Sequence, residues 1–379
     1  MRIAVDAISA GEGLGLAAGG MIVYYRGLLP ALADRTEVDE VLVLTQPWAD
    51  AAALRPHPKV STVRCRGLPR NRVGRVTYEQ TALPATAARH KPDVLLSTHN
   101  TAPLLRRAPT VVVLQSVQYL FYPESFGRSR RAYLRSVVPL SLRKAHAVIA
   151  VSEWERQAAI RAFGVDPSRI FTVHHGVSDL VNKALATRPA DSPAAARPYV
   201  VMVSTLYGFK NHARLIRAFA KVVAARSIPH ELVIAGGDAD VTRAELADVA
   251  AREKIGARVR LLGPIAHDDI PTLLARADAI AYTSLFETFG LPVLEALAVG
   301  RPLVTSNVTA MPEVAGDAAV LVDPRDTDSI AAGLAAALLD EPLRDRLRAA
   351  GPRRASGFTW EACADGTLRA LRHAMSHSR

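Results

Sequence analysis

Two cysteines, Cys65 and Cys363, are all that this 379-residue chain contains. They have neither the spacing of a metal site nor the number that makes a disulfide framework, so a reducing compartment is expected. Aromatic residues make up only 6%. The basic stretches lack the interleaved aromatics and reader motifs of a nucleic-acid binder, and no nucleic-acid partner is expected. No apolar run reaches the ~18 residues of a membrane span, and no signal peptide precedes the first strand-like run at residues 3–7. A soluble protein made in the cytoplasm is expected. There is no repeat of about 20–50 residues, which argues against a solenoid or propeller.

What is present is an ordinary globular composition, 49% hydrophobic and 22% charged, in a chain long enough for two domains. The net charge of +11 is unevenly placed: residues 1–190 hold 25 lysines and arginines against 14 acids, and residues 191–379 hold 22 against 22. The densest stretches are Arg64, Arg66, Arg70, Arg72 and Arg75, then Arg128, Arg130, Arg131, Arg135, Arg143 and Lys144. A basic face of this kind attracts phosphorylated small molecules or anionic lipid head groups, so peripheral contact with the inner face of a membrane is a second expectation.

Short β-branched runs alternate with helical stretches, the pattern of parallel sheets with helices on both faces. Strands are expected at 3–7, 41–44, 60–63, 94–96, 111–114, 148–151 and 170–173, with helices at 22–33, 78–89, 130–144 and 153–163. Ser152 and Gly164 suit the two ends of the last helix. A second series of strands is expected at 199–203, 231–235, 259–262, 279–282, 303–305 and 319–322. The expected division is a first Rossmann-like domain at 1–183, a proline-rich linker at 184–198 and a second such domain at 199–359. A C-terminal helix of uncertain partner lies in 360–379. Two doubly wound domains bind ligands at the carboxyl ends of their strands, so a shared cleft is expected.

The loops at those ends carry the chemistry. Residues 284–297 run from a strand through a loop holding Glu287, Gly290 and Pro292 into a helix holding Glu295. Pro292 suits a first helical turn. The free amides and the helix dipole suit an anion, while the two carboxylates suit neutral hydroxyls at its edge; the plain alternative is a strand-loop-helix join with two solvated glutamates. Lys210 stands at the start of another helix, the unfavourable end for a cation unless an anion is bound. Gly236-Gly237 and the glycine-rich 11–20 stretch are bare-backbone loops. The stretch imitates a dinucleotide fingerprint at Gly13-x-Gly15-x-x-Ala18, but the second strand ends Leu44-Thr45-Gln46, without the acid a nicotinamide site uses. Asp238-x-Asp240 imitates a metal-binding pair; no metal site is assigned.

Residues 204–211, Gly236-Gly237, Glu287-x7-Glu295 with Phe289-Gly290-Leu291-Pro292 between them, and 311–316 resemble family 4 of the retaining glycosyltransferases. Asp6, Gly19-Gly20 and residues 173–177 are similar too. The resemblance implies a GT-B fold, two doubly wound Rossmann-like domains facing across a cleft, and transfer of a hexose, mannose-like favoured, from a nucleotide-diphosphate sugar with retention and without cofactor or required metal. It implies Lys210 at the donor diphosphate, Glu295 at the ribose, Glu287 at the sugar and the anomeric carbon, and the amides of Phe289, Gly290 and Leu291 at sugar and phosphate. Ser204, Thr205 and Gly236 fall in its donor-binding loops, and Gly19 and Gly20 in its phosphate-covering loop. Thr205 stands where many members have arginine, a charge that Arg214 or Arg301 is placed to replace. Gln115 and Ser116 stand where many members have a histidine-aspartate pair; Gln115 and His99 are the candidates near the reacting carbon. Expected partners are a GDP- or UDP-hexose and a hydroxyl acceptor, lipid-linked if the basic face docks on a membrane. The implied setting is surface polysaccharide or glycolipid assembly. Alternatives are a secondary-metabolite tailoring transferase and a catalytically idle nucleotide-sugar-binding protein.

Overall fold

The computed structural model describes residues 1–8, 19–49, 54, 57–177 and 197–378. The glycines at 11–15 and residues 184–196 of the expected linker lie outside them. The chain forms two compact units, Met1–Gly176 with Phe358–Arg379, and Val177–Gly357. Each is built on one parallel sheet, and together they make the GT-B fold.

The first unit has seven strands, β1 (Arg2–Asp6), β2 (Glu40–Thr45), β3 (Val60–Arg64), β4 (Val94–Ser97), β5 (Thr110–Leu114), β6 (Ala147–Ala150) and β7 (Ile170–Thr172). Their order is β3-β2-β1-β4-β5-β6-β7. β4, β5 and β6 are buried at every position. Strands covered on both faces can be continuous apolar runs, which is why these segments showed no alternation. Connecting them are α1 (Gly19–Ala33), α2 (Arg72–Thr81), α3 (Leu83–Arg89), α4 (Gln118–Phe121), α5 (Arg128–Lys144) and α6 (Glu153–Phe163). The helix expected over 78–89 is two helices divided at Ala82, with Pro84 in the first turn of α3, where its missing N–H leaves no carbonyl unpaired. Gly19 and Gly20, expected in a loop, open α1. The caps of α6 are as the sequence indicates: Ser152 Oγ accepts from the Glu155 amide at 3.0 Å, and Gly164 takes φ +63°.

The second unit holds β8 (Tyr199–Val203), β9 (Glu231–Ala235), β10 (Val259–Gly263), β11 (Ala279–Tyr282), β12 (Leu303–Ser306) and β13 (Val320–Val322). The order is β10-β9-β8-β11-β12-β13. Its helices are α7 (His212–Arg226), α8 (Arg243–Arg252), α9 (Ile270–Ala275), α10 (Leu291–Ala298), α11 (Met311–Ala315), α12 (Thr327–Leu339) and α13 (Glu341–Ala355). In each sheet the order reverses once, between β1 and β4 and between β8 and β11. At such a point the connections leave in opposite directions and open a crevice at the carboxyl ends of the strands.

After the second unit the chain returns to the first as α14 (Trp360–Ser376), which packs on α1 and against β5 and β6. Thr359 Oγ1 caps it by accepting from the Ala362 amide at 3.1 Å. The seat for Trp360 is cut by two glycines: a Cβ on Gly27 would lie 2.0 Å from Trp360 Cε2, and one on Gly176 would lie 2.5 Å from the Trp360 backbone nitrogen. Gly27→Ala is therefore expected to overpack this seat and cost about 1–3 kcal/mol. The melting temperature of the first unit should fall by several degrees, and hydrogen exchange should show α14 losing protection.

Candidate active site

Three loops of the second unit meet at its crevice. β8 runs into Ser204–Asn211, β11 into Thr283–Gly290, and β12 into a turn ending at Thr309. The first two are joined by backbone and side chain: the Leu285 amide donates to the Phe209 carbonyl at 2.7 Å, and Asn211 Nδ2 donates to the Thr283 carbonyl at 2.9 Å. Asn211 adopts φ +69°, a conformation asparagine tolerates better than most residues, and so ends the turn at Gly208–Lys210 just before α7. That turn delivers Lys210 across the crevice. Its Nζ lies 2.7 Å from Glu287 Oε1, and Ser284 Oγ donates to the same oxygen at 2.8 Å. The side chains of Lys210 and Glu287 are only 15% and 13% exposed, so the pair is held largely out of water, where removing one partner leaves a costly uncompensated charge. The third loop fixes the backbone of Glu287, whose amide donates to Thr309 Oγ1 at 3.2 Å.

Beside this pair α10 begins. Gly290, at φ +94°, is its N-cap; the sharp left-handed turn requires a residue without Cβ strain. Phe289 is buried, and the amides at 290 and 291 precede the first intrahelical bonds. Glu295, one turn in, is half-buried, with no hydrogen-bond partner for its carboxylate among the described residues. Burial pushes its pKa up to about 7. Such a group has unused acceptor capacity beside a helix N-terminus.

In the first unit His99 follows β4. Its Nε2 lies 2.9 Å from Tyr25 Oη, which also meets Thr98 Oγ1 at 2.6 Å. Burial, with a smaller effect of Arg75, lowers His99 to about 4, so the ring is neutral at pH 7 and a weak base. Gln115 follows β5; its amide and that of Ser116 donate to Asn100 Oδ1 at 2.6 and 3.1 Å. His99 and Gln115 thus stand at neighbouring strand ends of one sheet. Lys210 and Glu287 stand together in the other unit.

Residues 18–179 match the model described as Glycosyltransferase Family 4, and residues 187–354 match Glycosyl transferases group 1. The O-antigen chain mannosyltransferase B of Escherichia coli is 31% identical over 271 residues, 69% of this chain and 70% of that one. The chain belongs to glycosyltransferase family 4. A D-inositol 3-phosphate glycosyltransferase of Rhodococcus erythropolis is 26% identical over 394 residues, covering 94% of this chain and 87% of that one. Among solved structures, the sucrose-phosphate synthase of Thermosynechococcus elongatus superposes with a TM-score of 0.75 at 21% identity, covering 98% of both chains. The Anabaena protein HepE in complex with UDP and glucose superposes with 0.70 at 22% identity, covering 98% of this chain and 99% of that one.

Other expected members of this glycosyltransferase's site fall as follows. Thr205 is exposed at the loop end. Arg214 is adjacent, with Nη1 donating to Asn211 Oδ1 at 2.8 Å and to the Pro324 carbonyl at 3.1 Å. Arg301 precedes β12, at the opposite end of that strand from the crevice, and its Nε donates to the Ala275 carbonyl at 2.7 Å. Arg301 thus stands at the far end of its strand, whereas Arg214 is tied to Asn211 at the end of the Ser204–Asn211 loop. Gly236 lacks a side chain for the chain's own sake: a Cβ there would lie 1.9 Å from the Ser204 carbonyl oxygen. Ser204 itself meets His212 Nε2 at 2.8 Å. Asp238 pairs with Arg243 at 2.9 Å and Asp240 accepts from the Gly208 amide at 2.7 Å, so both carboxylates have structural partners. Ser284 and Asn211 lie in stretches that the sequence marks but are not among the expected site residues, and Thr309 lies outside those stretches. Of these only Asn211 had a usable signal, an asparagine between a charged residue and a helix start.

Glu295 gives the site a measurable signature. Its carboxyl holds a proton up to about 7 in the folded chain against an ordinary value of 4.5. The folded state therefore binds more protons than the unfolded one between those values, and stability falls as pH rises through that window. Glu295→Gln should raise the melting temperature of the unliganded chain at pH 8, by about 1–2 kcal/mol of stability. The gain should vanish near pH 4.5.

Proposed function

We propose that the second unit binds a nucleotide-diphosphate hexose, GDP- or UDP-linked, and that the chain transfers the hexose to a hydroxyl with retention of anomeric configuration. The observation that carries this reading is the 2.7 Å contact of Lys210 Nζ with Glu287 Oε1 at the strand-order reversal beside the start of α10. Lys210 turns to the diphosphate when the donor arrives. Glu287, still held by Ser284, accepts from the sugar hydroxyls and stabilises positive charge developing at the anomeric carbon. The amides at 289–291 face sugar and phosphate, and Glu295 accepts from the ribose. The bond between the anomeric carbon and the leaving phosphate oxygen breaks with its electron pair on that oxygen. The acceptor oxygen bonds to the same face of the carbon, and its proton passes to the departing phosphate. With the leaving charge met by Lys210 and oriented amides, neither a protein base nor a metal is required. The name of the Escherichia coli relative favours mannose as the hexose.

The acceptor is assigned to the first unit, with surface polysaccharide or glycolipid assembly as the setting. Large apolar side chains are exposed there beside arginines: Val73 at 77%, Leu105 at 78%, Phe121 at 52% and Leu140 at 43%. Leu105 is followed two positions on by the exposed Arg107, and Leu140 lies on α5 with the exposed Arg135 and Arg143. Basic residues with interspersed apolar ones favour an interface of anionic head groups and acyl chains, which supports a lipid-linked acceptor. No helix among the described residues is long and apolar enough to cross a membrane, so the reading is of peripheral contact.

Thermal-shift titration with GDP, UDP and their hexoses should single out one base. Lys210→Ala and Glu287→Ala should each lower turnover with that donor about 100-fold or more; transfer that persists unchanged in both would overturn the reading. Co-sedimentation with vesicles should rise with anionic lipid content and fall at high salt, and indifference to both would remove the membrane contact.

A further inference from the structure

The loop that carries Lys210 also walls a cavity of about 180 Å³ in the second unit. Its lining includes Tyr207, Asn211, His212, Arg214, Arg217 and Val241, but neither Lys210 nor Glu287. Backbone bonds fix its walls: the Leu206 amide donates to the Gly237 carbonyl at 2.9 Å, and the Val241 amide to the Leu206 carbonyl at 3.0 Å. A hollow held in this way needs little ordering when a ligand enters. Arg214 and Arg217 stand three positions apart on α7, so their side chains are neighbours on the helix surface. Arg214 uses Nη1 for Asn211 Oδ1 and the Pro324 carbonyl, and a guanidinium has five N–H donors. Arg217 is 47% exposed, and Glu253 lies 3.8 Å from its Nε, beyond hydrogen-bond length.

His212, at the start of α7, is 2% exposed. Its Nε2 meets Ser204 Oγ at 2.8 Å, and its Nδ1 has no hydrogen-bond partner among the described residues. Burial, with a smaller effect of Lys210, lowers its pKa to about 4, so the ring is neutral at pH 7 and carries one proton. Where Ser204 Oγ donates to Nε2, that proton sits on Nδ1, a buried donor that calls for an acceptor. Tyr207 stands at the rim, 39% exposed, with its ring stacked on Phe209 at 5.4 Å. We infer that this cavity binds a phosphate monoester, the phosphate held by Arg214 and Arg217 and the organic part lying against Tyr207. Guanidinium groups and the positive end of α7 offer donors and charge, which a phosphate dianion matches and a neutral polyol does not. Asn211 connects the cavity to the crevice, since its Oδ1 accepts from Arg214 while its Nδ2 holds the Thr283 carbonyl. An anion that draws on Arg214 competes with Asn211, the residue next to Lys210, so the ligand acts as an effector of the crevice. That effector role rests on the donor reading above; the binding itself does not.

The test is calorimetry on the full chain with three probes: mannose 6-phosphate, inorganic phosphate and methyl α-D-mannopyranoside. The phosphate of the first is not on the anomeric carbon, so the probe does not imitate a donor. The expected result is that mannose 6-phosphate binds, inorganic phosphate binds more weakly and the neutral glycoside does not bind at this site. Arg217→Ala should weaken mannose 6-phosphate about tenfold or more, and Tyr207→Ala should weaken it while leaving inorganic phosphate unchanged. No binding of mannose 6-phosphate by the intact chain overturns the inference, and so does binding unaltered in Arg217→Ala. Equal binding of the two phosphates overturns the place given to Tyr207. The affinity of GDP or UDP, measured without phosphate probes, should be the same in Arg217→Ala as in the intact chain; a parallel loss puts Arg217 in the donor crevice and overturns the separate site. Saturating mannose 6-phosphate should shift the nucleotide Kd severalfold in the intact chain and not in Arg217→Ala, and no shift in the intact chain overturns the effector role. Thermal unfolding without ligand checks the fold of each variant, and Arg217→Glu repeats the test with reversed charge. A chain that binds mannose 6-phosphate in this way but no nucleotide overturns the donor reading and leaves the phosphate site standing.

Discussion

The ion pair of Lys210 and Glu287 is the constraint on which the second unit's crevice depends. It joins loops from β8 and β11, the two strands between which the order reverses, so the chain segments that leave in opposite directions are tied together where they part. A lysine there is unfavourable on local grounds, since it stands before a helix whose N-terminus is already positive. The glutamate offsets that cost, and the Leu285-to-Phe209 and Asn211-to-Thr283 bonds hold the loops so that the two charges meet. The geometry also sets what a ligand must do: an anion arriving at the start of α10 competes with Glu287 for Lys210, and frees a carboxylate for hydroxyls in the same movement.

Much of this was legible from residue types. The strands were readable because parallel strands, covered on both faces, keep their β-branched runs unbroken; those at 199–203, 231–235 and 279–282 match to the residue. Pro84 marks a helix start inside an otherwise continuous pattern, and a period-based reading passes over such a break. Gly19 and Gly20 read as loop because glycine is a poor helix former, yet at the first turn of α1 the cost is small. Lys210, Glu287, Gly290 and Glu295 were legible because each combines an unusual residue type with a helix start. Ser284 and Thr309 were not, because their roles come from distances between loops far apart in sequence, and serine and threonine are ordinary residues in any loop.

The same limit explains why the burial of Glu79 and Ser97 was not legible, whereas Asp6 was already marked by the resemblance. Glu79 in particular lies near the basic run from Arg64 to Arg75, where a lone glutamate reads as a solvated counter-charge. Only the register of β1 on β4, and the packing of α2 over that face, turn it inward. The C-terminal helix was ambiguous for a related reason: its partner α1 lies more than 300 positions earlier, and the glycines that seat Trp360 are silent until the tryptophan is placed on them.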